Sequence, residues 1–218
     1  MTQKQLHEAM AVLRREVPHW DVPVVSLMAQ KDHDPYRVLI STLLSLRTQD
    51  QTTAKASTRL FALADTPQAM VQLDRQTIEQ AIYPVGFYRT KAPQILDISR
   101  RLLDEFDGRV PDDIDTLTTF HGVGRKTANL VLAEGYGIPA ICVDTHVHRI
   151  SNRWGYLKTK DPLATERALR KKLPKEYWLE FNPTLVALGQ HVCKPTSPIC
   201  SKCPVALWCK RVGVKRSR

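Results

Sequence analysis

The chain has 218 residues, 43% apolar and 25% charged, and 32 lysines and arginines against 22 acidic residues give a net charge of +10. That length buries a real core as one large domain or two small ones, the composition excludes a disordered or fibrous chain, and the positive balance points to a polyanionic partner. Residues 1–16 are charged throughout and no apolar run is long enough to span a bilayer, so the expectation is a cytoplasmic, intracellular protein that is neither secreted nor on a membrane.

Helical periodicity dominates and strand-like alternation is scarce, which predicts an all-α fold. Leu6, Met10 and Leu13 share a face of an N-terminal helix. Helices are then predicted over 36–46, 54–63, 77–82 and 91–106, with turn signals between them. A short helix at 113–119 brings Ile114 and Leu117 together, and another at 126–134 carries Ala128, Leu130, Val131 and Leu132. Gly135-Tyr136-Gly137-Ile138-Pro139 must stop it. Later helices are predicted to start at Asp144, at Asp161, where Pro162 takes the first helical position, and near Glu176. Pro84, Pro111, Pro139, Pro174 and Pro183 are expected near element ends.

The stretch Phe120-His121-Gly122-Val123-Gly124-Arg125-Lys126-Thr127 joins two of these helices and is followed, eighteen residues after Lys126, by Asp144. Two glycines one residue apart let the chain take φ > 0 and bring N–H groups close to a ligand, and the next helix points its positive end the same way. This is a site for an anion such as a DNA phosphate. Alone it would equally serve as a structural turn between helices; Lys126, a candidate nucleophile, and Asp144, a candidate carboxylate partner, favour the functional reading. Asp144 also suits a purely structural role as an N-cap, and the two roles can coexist. With His146 and His148 it forms D-x-H-x-H, but residues two apart on a helix do not share a face, so a metal site there is rejected.

Four of the five cysteines fall late in the chain as Cys193-x6-Cys200-x2-Cys203-x5-Cys209. In an intracellular chain such a cluster holds metal sooner than it forms disulfides. Zinc is the alternative, but it usually takes two closely spaced pairs. Here only the central pair is close, a spacing that favours wrapping around an iron–sulfur cubane. Cys142, between Ile141 and Val143, reads as a buried apolar filler. After Glu180 there is no acidic residue, while Lys194, Lys202, Lys210, Arg211, Lys215, Arg216 and Arg218 follow; the last five residues are expected to be a solvated basic tail.

Taken together, Gly122 to Leu132, Val143-Asp144-Thr145-His146 and the four spaced cysteines resemble the endonuclease III branch of the helix-hairpin-helix DNA glycosylases. The resemblance covers nearly the whole chain, from about Pro35 to Cys209. It implies a helix-hairpin-helix DNA glycosylase fold with a six-helix barrel domain over 28–137. A second domain, from 1–27 and 138–218, would carry a 4Fe-4S cluster in the loop 193–209, with an active site in the cleft between the domains.

The resemblance also implies a bifunctional DNA glycosylase and abasic-site lyase that excises oxidised pyrimidines of the thymine glycol type from double-stranded DNA, acting as a monomer. Lys126 would be the amine that forms a Schiff base with the sugar, Asp144 its carboxylate partner and Asp50 an auxiliary group. A free lysine with pKa ~10.4 is almost wholly charged at pH 7, so partial burial or the positive end of the following helix is expected to favour the neutral amine. Cys193, Cys200, Cys203 and Cys209 would ligate the cluster. DNA would be contacted by Gly122, Val123, Gly124, Arg125, Thr127 and His121 of the hairpin, by Gln49 and His146, and by Arg47 and Phe87 at the gap left by a flipped nucleotide.

Better-known bacterial members have glutamine at the place of Arg47 and leucine at that of Phe87. They carry Leu-Pro where this chain has Phe120-His121. Phe87 also reads as a core aromatic and Arg47 as an exposed charge. Two other classes stay open at this point: a mismatch or adenine glycosylase that activates water, and a non-catalytic iron–sulfur DNA-binding module. Lys126 argues against both.

Overall fold

A computed structural model describes residues 1–20 and 33–218, and among these the chain is helices and turns with no strand. It divides into two compact units, Met1–Pro23 with Ile141–Arg218, and Val24–Ala140. The domain boundary expected between 27 and 28 lies outside the described residues. None of the described helices is long and apolar enough to cross a membrane.

In the first unit, Thr2 and Gln5 form a reciprocal capping box that starts the Gln3–Glu16 helix. Leu6, Ala9, Met10 and Leu13 of that helix are fully buried, so each of the three large side chains contributes roughly 1.5–3 kcal/mol through removal from water. They join Val147, Ile150, Trp154, Leu169, Phe181, Leu185 and Val205 in one core. The Thr145–Arg153 helix is capped by Asp144 and the Pro162–Lys172 helix by Asp161, as the sequence predicts. The expectation for Pro183 fails. It lies inside the Trp178–His191 helix, where its missing N–H forfeits the bond to the Leu179 carbonyl. Leu179 is 40% exposed, so the proline stands next to a solvent-facing part of the helix.

The centre of the second unit is the Pro35–Ser45 helix, started by Asp34, whose carboxylate accepts from the Tyr36 and Arg37 N–H groups. Eight of its residues, from Tyr36 to Leu44, are buried, the pattern of a helix surrounded by others. Tyr36 bonds Ser99 at 2.7 Å, and burial pushes its phenol well above the ordinary range. The Asp50–Leu63, Tyr88–Phe106 and Arg125–Leu130 helices pack against the Pro35–Ser45 helix, and the Arg75–Ile82 helix packs on the first two of these. Pro93 lies inside the Tyr88–Phe106 helix. The carbonyl it leaves without a helical donor, Arg89 O, accepts from Arg75 Nη2 at 3.3 Å. The predicted 126–134 helix is two pieces: an α-helix to Leu130, then a wider π-helical turn, Val131–Gly135. Gly135 is required there, because a Cβ would stand 2.9 Å from Pro35 Cα.

Candidate nucleic-acid interface and cysteine cavity

The hairpin begins with the Ile114–Leu117 turn of helix, capped by Asp113, whose carboxylate accepts from Thr116 N–H and is held below its usual range by that bond. The chain then reverses through Val123 N–H to Phe120 O at 3.0 Å and enters the Arg125–Leu130 helix from Gly124. Only one of the two glycines uses the left-handed region: Gly122 has φ 82, whereas Gly124 is at φ −90. Phe120 is buried beside Phe106 at 5.6 Å, with the Arg101 guanidinium 4.4 Å over its ring. The larger residue at this position is therefore anchored by its own aromatic and cationic neighbours.

His121, Gly122, Gly124, Arg125 and Lys126 form the exposed side of the turn. Lys126 is the second helical residue, and it is exposed, because Thr127 and Ala128 take the inward positions; of the two surroundings expected for it, partial burial or a helix N-terminus, it has the second. The side chains of Val123 and Thr127 are buried. Of the expected contact residues, these two offer a ligand only their backbone.

Arg47 and Phe87 come together although forty residues separate them in the sequence. Both have positive φ, 55 and 59, and the Arg47 guanidinium lies 5.5 Å from the Phe87 ring centre. Phe87 is 60% exposed, which excludes the core-aromatic reading. Gly86 is held close because a Cβ would meet Arg47 O at 2.5 Å, and its N–H donates to Thr48 Oγ1 at 3.1 Å. Gln49 precedes the Asp50–Leu63 helix at the N-cap position, where its side chain makes no capping bond, and is exposed; Asp50, the first helical residue, is half-buried. Thr48 and Lys91, which tie these turns, were not singled out from the sequence. The signal was present: Lys91 occupies the apolar stripe that Ile95, Ile98 and Leu102 continue.

In the other unit, Asp144 Oδ1 accepts from the N–H groups of His146 and Val147, both at 2.8 Å. His146 is half-buried beside Arg149 Nη2 at 3.0 Å, and His148 bonds Thr165 at 2.7 Å. The two imidazoles thus have different partners. Arg149 continues to Cys193 O at 2.8 Å, and Arg153 reaches Cys193 Sγ at 3.4 Å and Lys194 O at 2.7 Å. Cys142 is buried, and its carbonyl accepts from Asn182.

Cys193, Cys200, Cys203 and Cys209 line one cavity with Trp154, Leu188, Val192 and Ile199 as apolar wall. Burial pushes the Cys203 thiol up to about 11, and the other three sulfurs add to that shift. Burial raises Cys209 as well. The basic tail is solvated as expected, residues 215–218 all being exposed, but its end is tied down: Arg218 N–H donates to Pro198 O at 2.8 Å and Ser201 N–H donates to Arg218 O at 3.0 Å, so the backbone of Arg218 straps this loop.

A family profile described as "HhH-GPD superfamily base excision DNA repair protein" matches residues 40–175. An endonuclease III from Thermotoga maritima is 49% identical over 79% of this chain and 81% of its own length. One from Synechocystis is 40% identical over 80% of each chain. Among solved structures, a trapped endonuclease III–DNA covalent intermediate, an estranged-adenine complex, superposes with a TM-score of 0.84 at 33% identity, covering 97% of both chains.

Proposed function

The chain belongs to the endonuclease III family of the HhH-GPD superfamily, and we infer that it is a bifunctional enzyme of base excision repair, a DNA glycosylase and abasic-site lyase. The observation that carries this is Lys126, exposed on the second position of a helix entered through the Gly122 turn. It stands in a chain similar to an endonuclease III trapped covalently on DNA.

In this reading the hairpin backbone from Gly122 to Arg125 grips a phosphate, with His121, Gln49 and His146 as further DNA contacts. A nucleotide flips out at a cost of roughly a few kcal/mol; Phe87 wedges into the vacated stack and Arg47 donates to the orphaned base. Lys126 Nζ, as the neutral amine, bonds to C1′ while the bond from C1′ to the base breaks. The proton lost by the amine passes to Asp144 and on to the departing base, and the Asp144 carboxylate faces the positive charge that develops on the sugar. Asp50 assists. Ring opening gives a protonated Schiff base; removal of a C2′ proton then breaks the C3′–O bond, the 3′ phosphate leaves with its strand, and water releases the amine.

Oxidised pyrimidines of the thymine glycol type are the proposed substrates, because a non-planar base is poorly stacked and costs less to extract. Cys193, Cys200, Cys203 and Cys209 would hold a 4Fe-4S cluster. The fit rests on four sulfurs around one cavity, where burial, and then the neighbouring sulfurs, disfavour the thiolates of Cys203 and Cys209. The preference for a larger cluster over zinc rests on the sequence spacing, in which only Cys200 and Cys203 form a close pair. When bound, the cluster supplies folding energy to the C-terminal loop rather than chemistry at the sugar.

The test is borohydride trapping on duplexes bearing thymine glycol. The wild-type protein should give a covalent protein–DNA adduct, and Lys126→Gln should bind abasic duplex without forming one. Trapping by Lys126→Gln at the wild-type level overturns the assignment.

A further inference from the structure

Lys91 is 5% exposed, in the first turn of the Tyr88–Phe106 helix. A buried charge is costly unless its donors are satisfied. Its Nζ donates to Leu44 O at 3.0 Å and to Leu46 O at 2.6 Å, and approaches Thr48 Oγ1 at 3.5 Å. Both carbonyls belong to the C-terminal end of the Pro35–Ser45 helix, the negative end of its dipole. The ammonium therefore pins the chain where it leaves that helix and turns through Arg47. Thr48 extends the tie, since its hydroxyl accepts the Gly86 N–H at 3.1 Å. Gly86 in turn presses so close to Arg47 O that no side chain fits. Two turns remote in sequence are thus clamped by Lys91 and Thr48. Both tips, Arg47 and Phe87, are held in the left-handed region that a residue with a side chain seldom adopts unless its surroundings impose it.

We propose that Lys91 is a positioning residue that sets Arg47 and Phe87 as one rigid reader at the gap left by the flipped nucleotide, so that discrimination between opposite bases depends on a side chain that touches no DNA. This rests on the roles assigned above to Arg47 and Phe87. An apolar residue would serve packing alone, since Lys91 shares its helix face with Ile95, Ile98 and Leu102. What lysine adds is a charged donor for carbonyls that would otherwise be buried at the helix end.

The experiment measures excision of thymine glycol opposite guanine and opposite adenine by the full chain and by Lys91→Met, with thermal unfolding of each. The wild type should prefer guanine, whose major-groove edge offers arginine two acceptors. Lys91→Met should remain folded, lose roughly tenfold or more on duplex substrate, and bring the guanine-to-adenine ratio close to one. Equal losses on both duplexes with the ratio preserved would mean a merely structural role and overturn the proposal. So would wild-type behaviour of the variant, or a wild-type ratio of one. If Lys91→Met does not fold, Thr48→Val replaces it, with the same loss of ratio expected and the same outcomes against. Failure of the underlying enzyme reading shows separately, as a wild-type protein that yields no borohydride adduct.

Discussion

Gly189 on the Trp178–His191 helix leaves room for His146: a Cβ there would stand 2.1 Å from the imidazole Nδ1 and 2.9 Å from Arg149 Nη2. Arg149 also donates to Cys193 O, so the ring, the guanidinium and the entry to the cysteine loop are packed as one group. In an open helix Gly→Ala gains about 1 kcal/mol. Here the added methyl forces an overlap of the kind that costs about 1–3 kcal/mol. Gly189→Ala is therefore expected to lower Tm by a few degrees. A raised Tm would show that the imidazole swings aside at no cost.

Asp144 caps its helix and is proposed to serve the sugar, and two substitutions separate the roles. Asparagine caps as well as aspartate does, so Asp144→Asn should leave stability nearly unchanged while base excision falls by ~10²-fold or more. Asp144→Ala should lose the same activity and about 1 kcal/mol of stability in addition. Excision by Asp144→Asn at the wild-type rate would leave the residue with its cap alone.

Protein purified without oxygen should carry about four iron atoms per chain and absorb as an iron–sulfur protein. Serine at Cys193, Cys200, Cys203 or Cys209 should reduce iron content and destabilise the loop that Arg218 straps, because metal binding and local folding are linked. Stoichiometric zinc without iron would show the wrong metal was assigned.

Burial pushes Lys91 down to about 8. Between that value and the ordinary lysine value near ~10.4 the unfolded chain holds a proton that the folded chain has released. Stability contributed by this group therefore rises with pH across that window and is flat below it. Relative to Lys91→Met, the wild-type protein should gain in Tm between pH 8 and pH ~10. A difference that stays constant, or shrinks as pH rises, would contradict the shift.

Much of this molecule was legible in local pattern. Leu6, Met10 and Leu13 at helical spacing became a buried face, Asp144 and Asp161 became caps, and the hairpin turns at Gly122. These features depend on residues within one or two turns of each other, where spacing and capping chemistry are sufficient. Likeness of motifs carried the family, and the wide spacing of the four cysteines was enough to suggest a shared ligand.

Contacts between distant segments decided the rest. That Thr127 turns inward while Lys126 faces out, that Pro183 sits within a helix, and that Arg218 closes the cysteine loop follow from which surfaces each helix buries. The joining of Arg47 to Phe87 through Lys91 and Thr48 has no local signature beyond a lysine on an apolar stripe. A periodic pattern records how often a residue faces the core, whereas the partner it meets there is set by the packing of helices far away in the chain.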